Sequence, residues 1–280
     1  AGRARQMSVN TLATVRDGFF DTHAHYNDPR MRETFGDVDA WIKHLLDENV
    51  AYILNAATDL QTAAECLSLA EKFAPLYAAV GIHPSDAGAQ KQPIQEVLSC
   101  VRQLLAHPKA VAVGEIGLDY HYDDTPRDLQ REWFDAQLSL SVAQNMPVVI
   151  HDREAHGDMM DMLWAHKDVR GVMHSYSGSV EMAKVLLRRD FYISFSGVVT
   201  FKNAAKLLDA VRYVPLSRML IETDCPYLSP VPMRGKCNHS GYLSYTAAAI
   251  AHIKQTDVQT VMQITKENAF QCFGITPSNN

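Results

Sequence analysis

The 280-residue chain lacks several features that would assign it to a specialised class of protein. No apolar run approaches the roughly 20 residues that a membrane-spanning helix needs, and no apolar signal segment lies near the start. The chain also lacks a cationic excess, because 26 Lys and Arg against 32 Asp and Glu give a formal net charge of -6. Any contact with nucleic acid must therefore come from a local cationic patch or from bound metal.

Cysteine is scarce and dispersed along the chain. The 5 cysteines are odd in number and form no Cys-x-x-Cys pair, which excludes a disulfide framework and a thiolate zinc site. A reducing cytoplasm is the expected compartment. Cys66 and Cys100 fall in helical patterns, and we expect both to be small core residues.

What the chain has is a regular alternation of short apolar strands and helical patterns, with 47% hydrophobic residues to build a core. This alternation predicts an α/β fold, a single (β/α)8 TIM barrel, with a doubly wound open sheet as the alternative. Neither a Gly-x-Gly-x-x-Gly fingerprint nor a Walker phosphate loop follows the first strand. The predicted strands are 18–20, 51–55, 76–81, 110–114, 148–150, 171–173, 191–195 and 218–221, and the chain closes with helices at 243–254 and 257–272. Residues 1–16 are expected to be a tag-like or disordered lead, 17–274 the barrel and 275–280 a tail.

The most informative stretch is 19–25, where His23 and His25 follow an apolar run. Side chains two apart on an extended strand project to the same face, so this pair presents two imidazoles side by side. Neutral imidazole is the commonest protein ligand for zinc-like ions. The pair alone is weak support for a metal site, and the rest of the chain must supply the other ligands.

Further ligand-type residues fall at the predicted carboxyl ends of other strands. Glu115, His151, His174 and Asp224 come just beyond strands four, five, six and eight. In a barrel these ends share one rim, where active sites are built, so residues distant in sequence converge there.

Four imidazoles and two carboxylates exceed the needs of one tetrahedral ion and predict two divalent ions about 3.5–4 Å apart. We assign His23, His25 and Asp224 to one ion, His151 and His174 to the other, and Glu115 to both. Mg, Mn or Zn are the expected ions. Such a pair activates a water for hydrolysis, and Asp224 is the expected general base, with a pure ligand role as its alternative.

Four residues near this rim are candidates for substrate binding. Arg153 is two residues past His151, Lys202 follows strand seven, and Arg234 lies in the Pro-rich loop after strand eight. Their cationic groups would clamp phosphate or carboxylate oxygens. His83, after strand three, is expected either to contact phosphate or to cap its loop.

The chain resembles the TatD family of metal-dependent hydrolases, in the amidohydrolase-like barrel group, from Phe20 to about Gly274. The segments that carry the resemblance include Asp-Thr-His-Ala-His at 21–25, Gly-Ile-His-Pro at 81–84, Gly-Glu-Ile-Gly-Leu-Asp-Tyr at 114–120, His-Asp-Arg-Glu-Ala at 151–155, His-Ser-Tyr-Ser-Gly at 174–178 and Glu-Thr-Asp-Cys-Pro-Tyr-Leu at 222–228. The resemblance implies the same six metal ligands. It also implies a divalent-metal-dependent deoxyribonuclease, a 3'-5' exonuclease on single-stranded DNA or 3' ends, with RNA as a further substrate left open.

Two alternatives stay open at this point. One is an ester or amide hydrolase, such as a D-aminoacyl-tRNA deacylase, since some relatives in the family have that activity. The other is a non-catalytic protein in which the metals brace a binding surface. No membrane contact and no obligate protein partner is indicated.

One loop departs from the family pattern. After Arg234-Gly235, family members usually continue through a basic residue to Asn-Glu-Pro, whereas this chain has Cys237-Asn238-His239-Ser240. Asn238 is retained, while the carboxylate and the proline are missing. We therefore expect the metal core to be intact and the substrate contacts of this loop to differ.

Overall fold

The computed structural model describes residues 15–122 and 124–276 of the chain. Most of the predicted lead (1–16) and part of the predicted tail (275–280) lie outside the described residues, so those boundaries stay predictions. Within the described ranges, no helix is both long and apolar enough to cross a membrane.

Eight parallel strands form the centre of the fold in the order β1 to β8, each hydrogen-bonded to the next along the chain. They are β1 (Phe19–Ala24), β2 (Val50–Ala56), β3 (Leu76–Val80), β4 (Ala110–Asp119), β5 (Val148–Arg153), β6 (Gly171–Met173), β7 (Tyr192–Phe195) and β8 (Met219–Ile221). At the β8–β1 seam, the His25 N–H donates to the Cys225 carbonyl and the Asp224 N–H to the His23 carbonyl, both at 2.8 Å. The sheet is therefore a nearly closed (β/α)8 barrel, which confirms the predicted fold and excludes the open sheet.

Helices connect the strands and cover the barrel. They are α1 (Pro29–Phe35), α2 (Val38–Asp47), α3 (Leu60–Lys72), α4 (Pro84–Ala87), α5 (Ile94–Leu105), α6 (Arg127–Ala143), α7 (His156–Ala165), α8 (Val180–Arg188), α9 (Ala205–Tyr213), α10 (Leu243–Lys254) and α11 (Val258–Phe273). Their starts follow local rules: the side chain of Asp37 caps α2, and Asp59 and Thr62 form a reciprocal capping box at α3.

Helix α5 shows how the helices pack on the sheet. Its buried residues Val97, Leu98, Val101 and Leu105 recur at the helical period and form one apolar stripe. The prediction that Cys100 is a core residue is wrong, because this position falls outside the stripe and its side chain is exposed. Cys66 is buried as predicted.

Three strands extend well past their predicted ends. β1 continues to Ala24, β4 to Asp119 and β5 to Arg153, and β4 and β5 remain paired along their extension. Glu115 and His151 therefore lie within strands rather than beyond them, which fixes their backbones more firmly. The short helices α1 and α4 were not predicted; each begins with a proline, the residue favoured in a first helical turn.

Candidate metal centre

All six predicted metal ligands meet at the carboxyl-terminal rim of the barrel. His23 and His25 come from β1 and the residue after it, and Glu115 comes from β4. His151 comes from β5, His174 follows β6 and Asp224 follows β8. The side chains of His23 and Glu115 are 0% and 4% exposed, so the centre of the cluster is closed to bulk water.

One group of donor atoms surrounds Glu115 Oε2. His23 Nε2 lies 3.1 Å from this oxygen and 3.2 Å from His25 Nε2, and Asp224 Oδ1 lies 3.2 Å from His25 Nε2. Donors bound tetrahedrally to one ion at about 2.0–2.2 Å would be about 3.3–3.6 Å apart. The contacts among these four residues run from 3.1 to 3.7 Å, so the group, called here the β1/β8 nest, has the dimensions of an ion site.

A second group surrounds the other oxygen of the same carboxylate. His174 Nε2 lies 2.9 Å and His151 Nδ1 3.0 Å from Glu115 Oε1, and these two nitrogens are 3.3 Å apart. We call this group the β5/β6 nest. Glu115 thus turns one oxygen to each nest.

The hydrogen bonds behind the histidines set which ring nitrogen faces inward. His25 donates its Nδ1–H to the Ala56 carbonyl at 2.9 Å, and His151 donates its Nε2–H to Asp119 at 2.8 Å. His174 donates its Nδ1–H to Glu222 at 3.0 Å. In a neutral imidazole the other nitrogen then carries a lone pair, so all three rings point a metal-binding atom into the cluster. This donor chemistry fits a divalent metal.

His83 has the opposite arrangement. Its Nδ1 accepts the Ser85 N–H at 3.1 Å, at the start of α4, so its neutral ring carries the proton on Nε2. That Nε2 lies 3.5 Å from Glu115 Oε1. His83 therefore presents a hydrogen-bond donor to the cluster, in addition to capping its loop.

The close packing of imidazoles around one carboxylate shifts their proton affinities. Burial alone would raise the pKa of Glu115, but the charges of His174 and His23 outweigh it and hold that pKa well below its usual range. Burial would lower the pKa of His151, but hydrogen bonds with Asp119 and Glu115 outweigh it and raise the pKa to about 9. Without metal, the cluster therefore holds protons that a bound ion would displace.

A buried network joins the two strands of the β1/β8 nest. Asp21 accepts the Thr223 N–H at 3.0 Å and the Ser240 hydroxyl at 2.7 Å, and Ser240 also contacts the Tyr26 hydroxyl at 2.7 Å. Next to Thr223, Asp224 has a positive φ of 56°, a strained conformation for a residue other than glycine. The network thus holds the backbone that aims Asp224 at the histidines.

The loop that differs from the family pattern, residues 237–240, is also held by hydrogen bonds to this network. Asn238 donates to the carbonyls of Thr223 and Tyr227 at 2.8 and 2.6 Å. Ser240 is buried against Asp21, and His239 packs edge-on against Trp41. Among the described residues, no group of potential metal ligands includes Cys237 or His239. This loop therefore supports the site without adding a third ion position.

The predicted cationic residues do not converge as the ligands do. Arg153, Lys202 and Arg234 are all exposed. The guanidinium of Arg153 lies over the Tyr122 ring at 5.0 Å, and that of Arg234 over the Phe201 ring at 4.0 Å. They lie at the end of β5 and in the segments after β7 and β8, and none of them belongs to the two nests.

Sequence reasoning missed several residues that position the site. Asp119 lies four residues after Glu115. Because side chains an even number of positions apart on an extended strand project to the same face, this spacing could have indicated that both residues face the site. Gln137 of α6 bonds both backbone groups of Ile82, next to His83, at 2.8 and 3.0 Å. Gln130, seven residues earlier on the same helix, likewise bonds the backbone of Asp119. Buried glutamines on a helix give no sequence signal of this role.

Comparison with known proteins identifies the family. The family model described as TatD related DNase matches residues 20–274. The chain belongs to the TatD family. It is similar to YabD of Bacillus subtilis, described as an uncharacterized metal-dependent hydrolase, with 40% identity covering 91% of this chain and 99% of the relative. The TatD protein of Mycobacterium tuberculosis, described in the same terms, is 32% identical over 91% of this chain and 97% of its own length.

A solved structure agrees with this assignment. The crystal structure of YjjV, a TatD homologue from Escherichia coli, superposes with a TM-score of 0.84 at 30% identity, covering 92% of this chain and 98% of YjjV. This TatD-family chain is therefore a metal-dependent hydrolase with a TIM-barrel fold.

Proposed function

We propose that the protein is a deoxyribonuclease that removes nucleotides from the 3' ends of single-stranded DNA with two divalent ions, Mg, Mn or Zn. The observation that supports a two-ion site is the position of the Glu115 carboxylate between the two nests. Each of its oxygens lies about 3 Å from an imidazole nitrogen of a different nest. A carboxylate shared in this way is the usual bridge of a two-metal site.

The ligand set follows from the two nests. His23, His25 and Asp224 would hold one ion, and His151 and His174 the other, with Glu115 shared between them. Two ions held there would supply a Lewis-acid pair that activates water and neutralises the charge developing on the phosphoryl oxygens.

The chain's own residues account for the rest of the reaction. In the metal-free cluster burial would raise the pKa of Asp224, but the hydrogen bond with His25 and the nearby imidazoles outweigh it and lower that pKa. As a carboxylate at the edge of the ion site, Asp224 would be placed to take the proton of the attacking water. The Nε2–H of His83 is aimed at the cluster and can donate to a phosphate oxygen. Arg153 at the end of β5, together with Lys202 and Arg234 in the segments after β7 and β8, can hold neighbouring phosphates.

One observation favours a second candidate, an ester or amide hydrolase acting on a small molecule or an aminoacyl-tRNA. The cationic residues are exposed and dispersed, so the described site has no preformed track for a long polyanion. The same metal centre could attack a carbonyl carbon, because it would stabilise an oxyanion as readily as a phosphorane.

The test is hydrolysis of a single-stranded oligonucleotide labelled at its 5' end, after chelation and readdition of each metal. Metal-restored stepwise shortening from the 3' end, lost in Asp224→Asn, is the expected result. The matched control is Asp168→Asn, an exposed carboxylate on the loop before β6, at the opposite end of the barrel. No shortening with any metal, together with release of an acyl product from ester substrates, would replace the nuclease by the second candidate.

A further inference from the structure

Glu222 is a fully buried carboxylate directly behind the histidines of the metal centre. It follows β8 and is 0% exposed. Its Oε1 accepts the Nδ1–H of His174 at 3.0 Å. Burying a charged group is costly unless its polar atoms are paired, so the partner of the second oxygen matters.

The second oxygen lies near an unpaired imidazole, and no hydrogen bond joins the two groups in this structure. Glu222 Oε2 and His23 Nδ1 are both buried and both lack a hydrogen-bond partner among the described residues. Potential ligand atoms of His23, His174 and Glu222 lie within 4.8 Å of one another. The His23 and His174 rings also stack in parallel, with centroids 3.8 Å apart and planes inclined by 14°. One carboxylate therefore lies behind two stacked imidazoles.

We propose that in the metal-loaded protein Glu222 is a positioning residue shared by the two nests: one oxygen accepts the Nδ1–H of His174, as it does here, and the other accepts that of His23 after the two groups approach to hydrogen-bond distance. Both bonds leave Nε2 with its lone pair facing the cluster, where His23 serves the β1/β8 nest and His174 the β5/β6 nest. The inference rests on the two-ion centre proposed above. In this role Glu222 would orient one ligand of each ion, so a single buried side chain would affect both ion positions.

The other acceptors behind the cluster serve one ligand each. The Ala56 carbonyl holds His25, and Asp119 holds His151. Loss of either should disturb one nest, whereas loss of Glu222 should disturb both. Asp119 is therefore the matched comparison for Glu222.

A third ion between His23, His174 and Glu222 is the competing interpretation of the same group of atoms. It would need a lone pair on His174 Nδ1, but this nitrogen donates its proton to Glu222. The hydrogen bond therefore favours a positioning role.

The decisive substitution is Glu222→Gln. A carboxamide has one acceptor and one donor and carries no charge, so in the glutamine variant one imidazole loses its acceptor and the other keeps only a weaker, neutral hydrogen bond. Zinc binding would be followed by competition with a chromophoric chelator in the wild type, Glu222→Gln and Asp119→Asn.

We expect the wild type to bind two zinc ions, Glu222→Gln to weaken both binding steps by about 10- to 100-fold, and Asp119→Asn to weaken one of them. Weakening of a single step in Glu222→Gln, as in Asp119→Asn, would overturn the shared role. A third zinc ion that binds the wild type and is lost in Glu222→Gln would overturn it in favour of an ion site. Glu222→Asp keeps two acceptor oxygens and should keep the wild-type ion count. If it does, the loss of binding in Glu222→Gln cannot be ascribed to a failure to fold when this position is substituted.

Nitrogen-15 NMR of histidine in the zinc-loaded protein separates this inference from the two-ion proposal. The Nδ1 protons of both His23 and His174 should be protected from exchange in the wild type, and both signals should shift in Glu222→Gln. A shift at His174 alone would overturn the inference whatever the ion count. Uptake of a single zinc ion by the wild type would overturn the two-ion proposal, and the Nδ1 protons would still decide the role of Glu222.

Discussion

The predicted metal ligands and the predicted substrate-binding cations differ in what holds them in place. Glu115 and His151 lie within paired strands, and buried acceptors hold the histidines from behind. Arg153 and Arg234 are exposed; the guanidinium of Arg153 lies over the Tyr122 ring, and that of Arg234 lies over the Phe201 ring and donates to the Ser229 carbonyl. The difference indicates that the barrel holds the predicted ligands in place, whereas the exposed cationic side chains, including that of Arg153 at the end of β5, can adjust to a substrate.

The largest effect should come from removing the shared carboxylate. In Glu115→Gln, one oxygen is replaced by an NH2 group that cannot bind a cation, so we expect loss of at least one ion and a fall in kcat of about 10²- to 10³-fold or more. Metal analysis of the purified protein and hydrolysis assays measure this. Glu181→Gln, an exposed control at the start of α8, should behave as wild type, and an unchanged ion count in Glu115→Gln would contradict the bridging role.

A smaller but still large effect should come from the strand that supports the cluster. Gly117 has a φ of 145°, and a Cβ built there would lie 1.9 Å from the His151 carbonyl oxygen. We expect Gly117→Ala to lower the free energy of unfolding by about 2–5 kcal/mol and to weaken metal binding by displacing His151.

Chemical denaturation with and without chelator measures the effect of Gly117→Ala. The matched control is Gly157→Ala in α7, where an added Cβ meets nothing within 4 Å. That substitution should be neutral or stabilising by about 0.5–1 kcal/mol. Equal stabilities of the two variants would mean that β4 and β5 are not held as described.

The cluster should also respond to pH in opposite ways with and without metal. The folded pKa of His151, about 9, lies above its ordinary value of 6.5, so in the chelated protein its contribution to stability is complete below about 6.5 and is lost as pH rises through 9. A bound ion instead requires the imidazole to lose its proton, so metal affinity should rise over the same range.

Thermal unfolding at pH 6, 7, 8 and 9, with chelator and with excess zinc, should show this divergence. The Tm gained on adding metal is expected to increase with pH. A gain in Tm that is independent of pH would contradict the protonated state inferred for the metal-free cluster.

The smallest effects should come from substituting the exposed arginines Arg153 and Arg234. We expect Arg153→Gln and Arg234→Gln to raise KM for an oligonucleotide by about 3- to 10-fold with kcat nearly unchanged, since each removes one phosphate contact. Each should also reduce the dependence of log KM on log salt by about 1. Arg188→Gln on the outer helix α8 is the control, and changes in kcat without a change in salt dependence would argue against phosphate contacts.

The same difference in support explains what the sequence predicted. The alternation of strands and helices predicted where each strand ends, and these ends form the rim of the barrel. Residues of metal-binding type at the strand ends, such as His23, Glu115 and Asp224, could therefore be recognised from the sequence. Residues that act through distant contacts were not, since nothing local indicates that Ser240 bonds Asp21 across 219 positions or that Gln137 anchors the loop of His83. The cationic residues were recognised by type, but the rings they pack against required the structure.

Crystals grown with manganese or zinc, measured at the absorption edge of the metal, would show by anomalous difference density whether two ions share Glu115. We expect two peaks about 3.5–4 Å apart, one beside each oxygen of Glu115. A single peak, or two peaks that Glu115 does not bridge, would contradict this expectation.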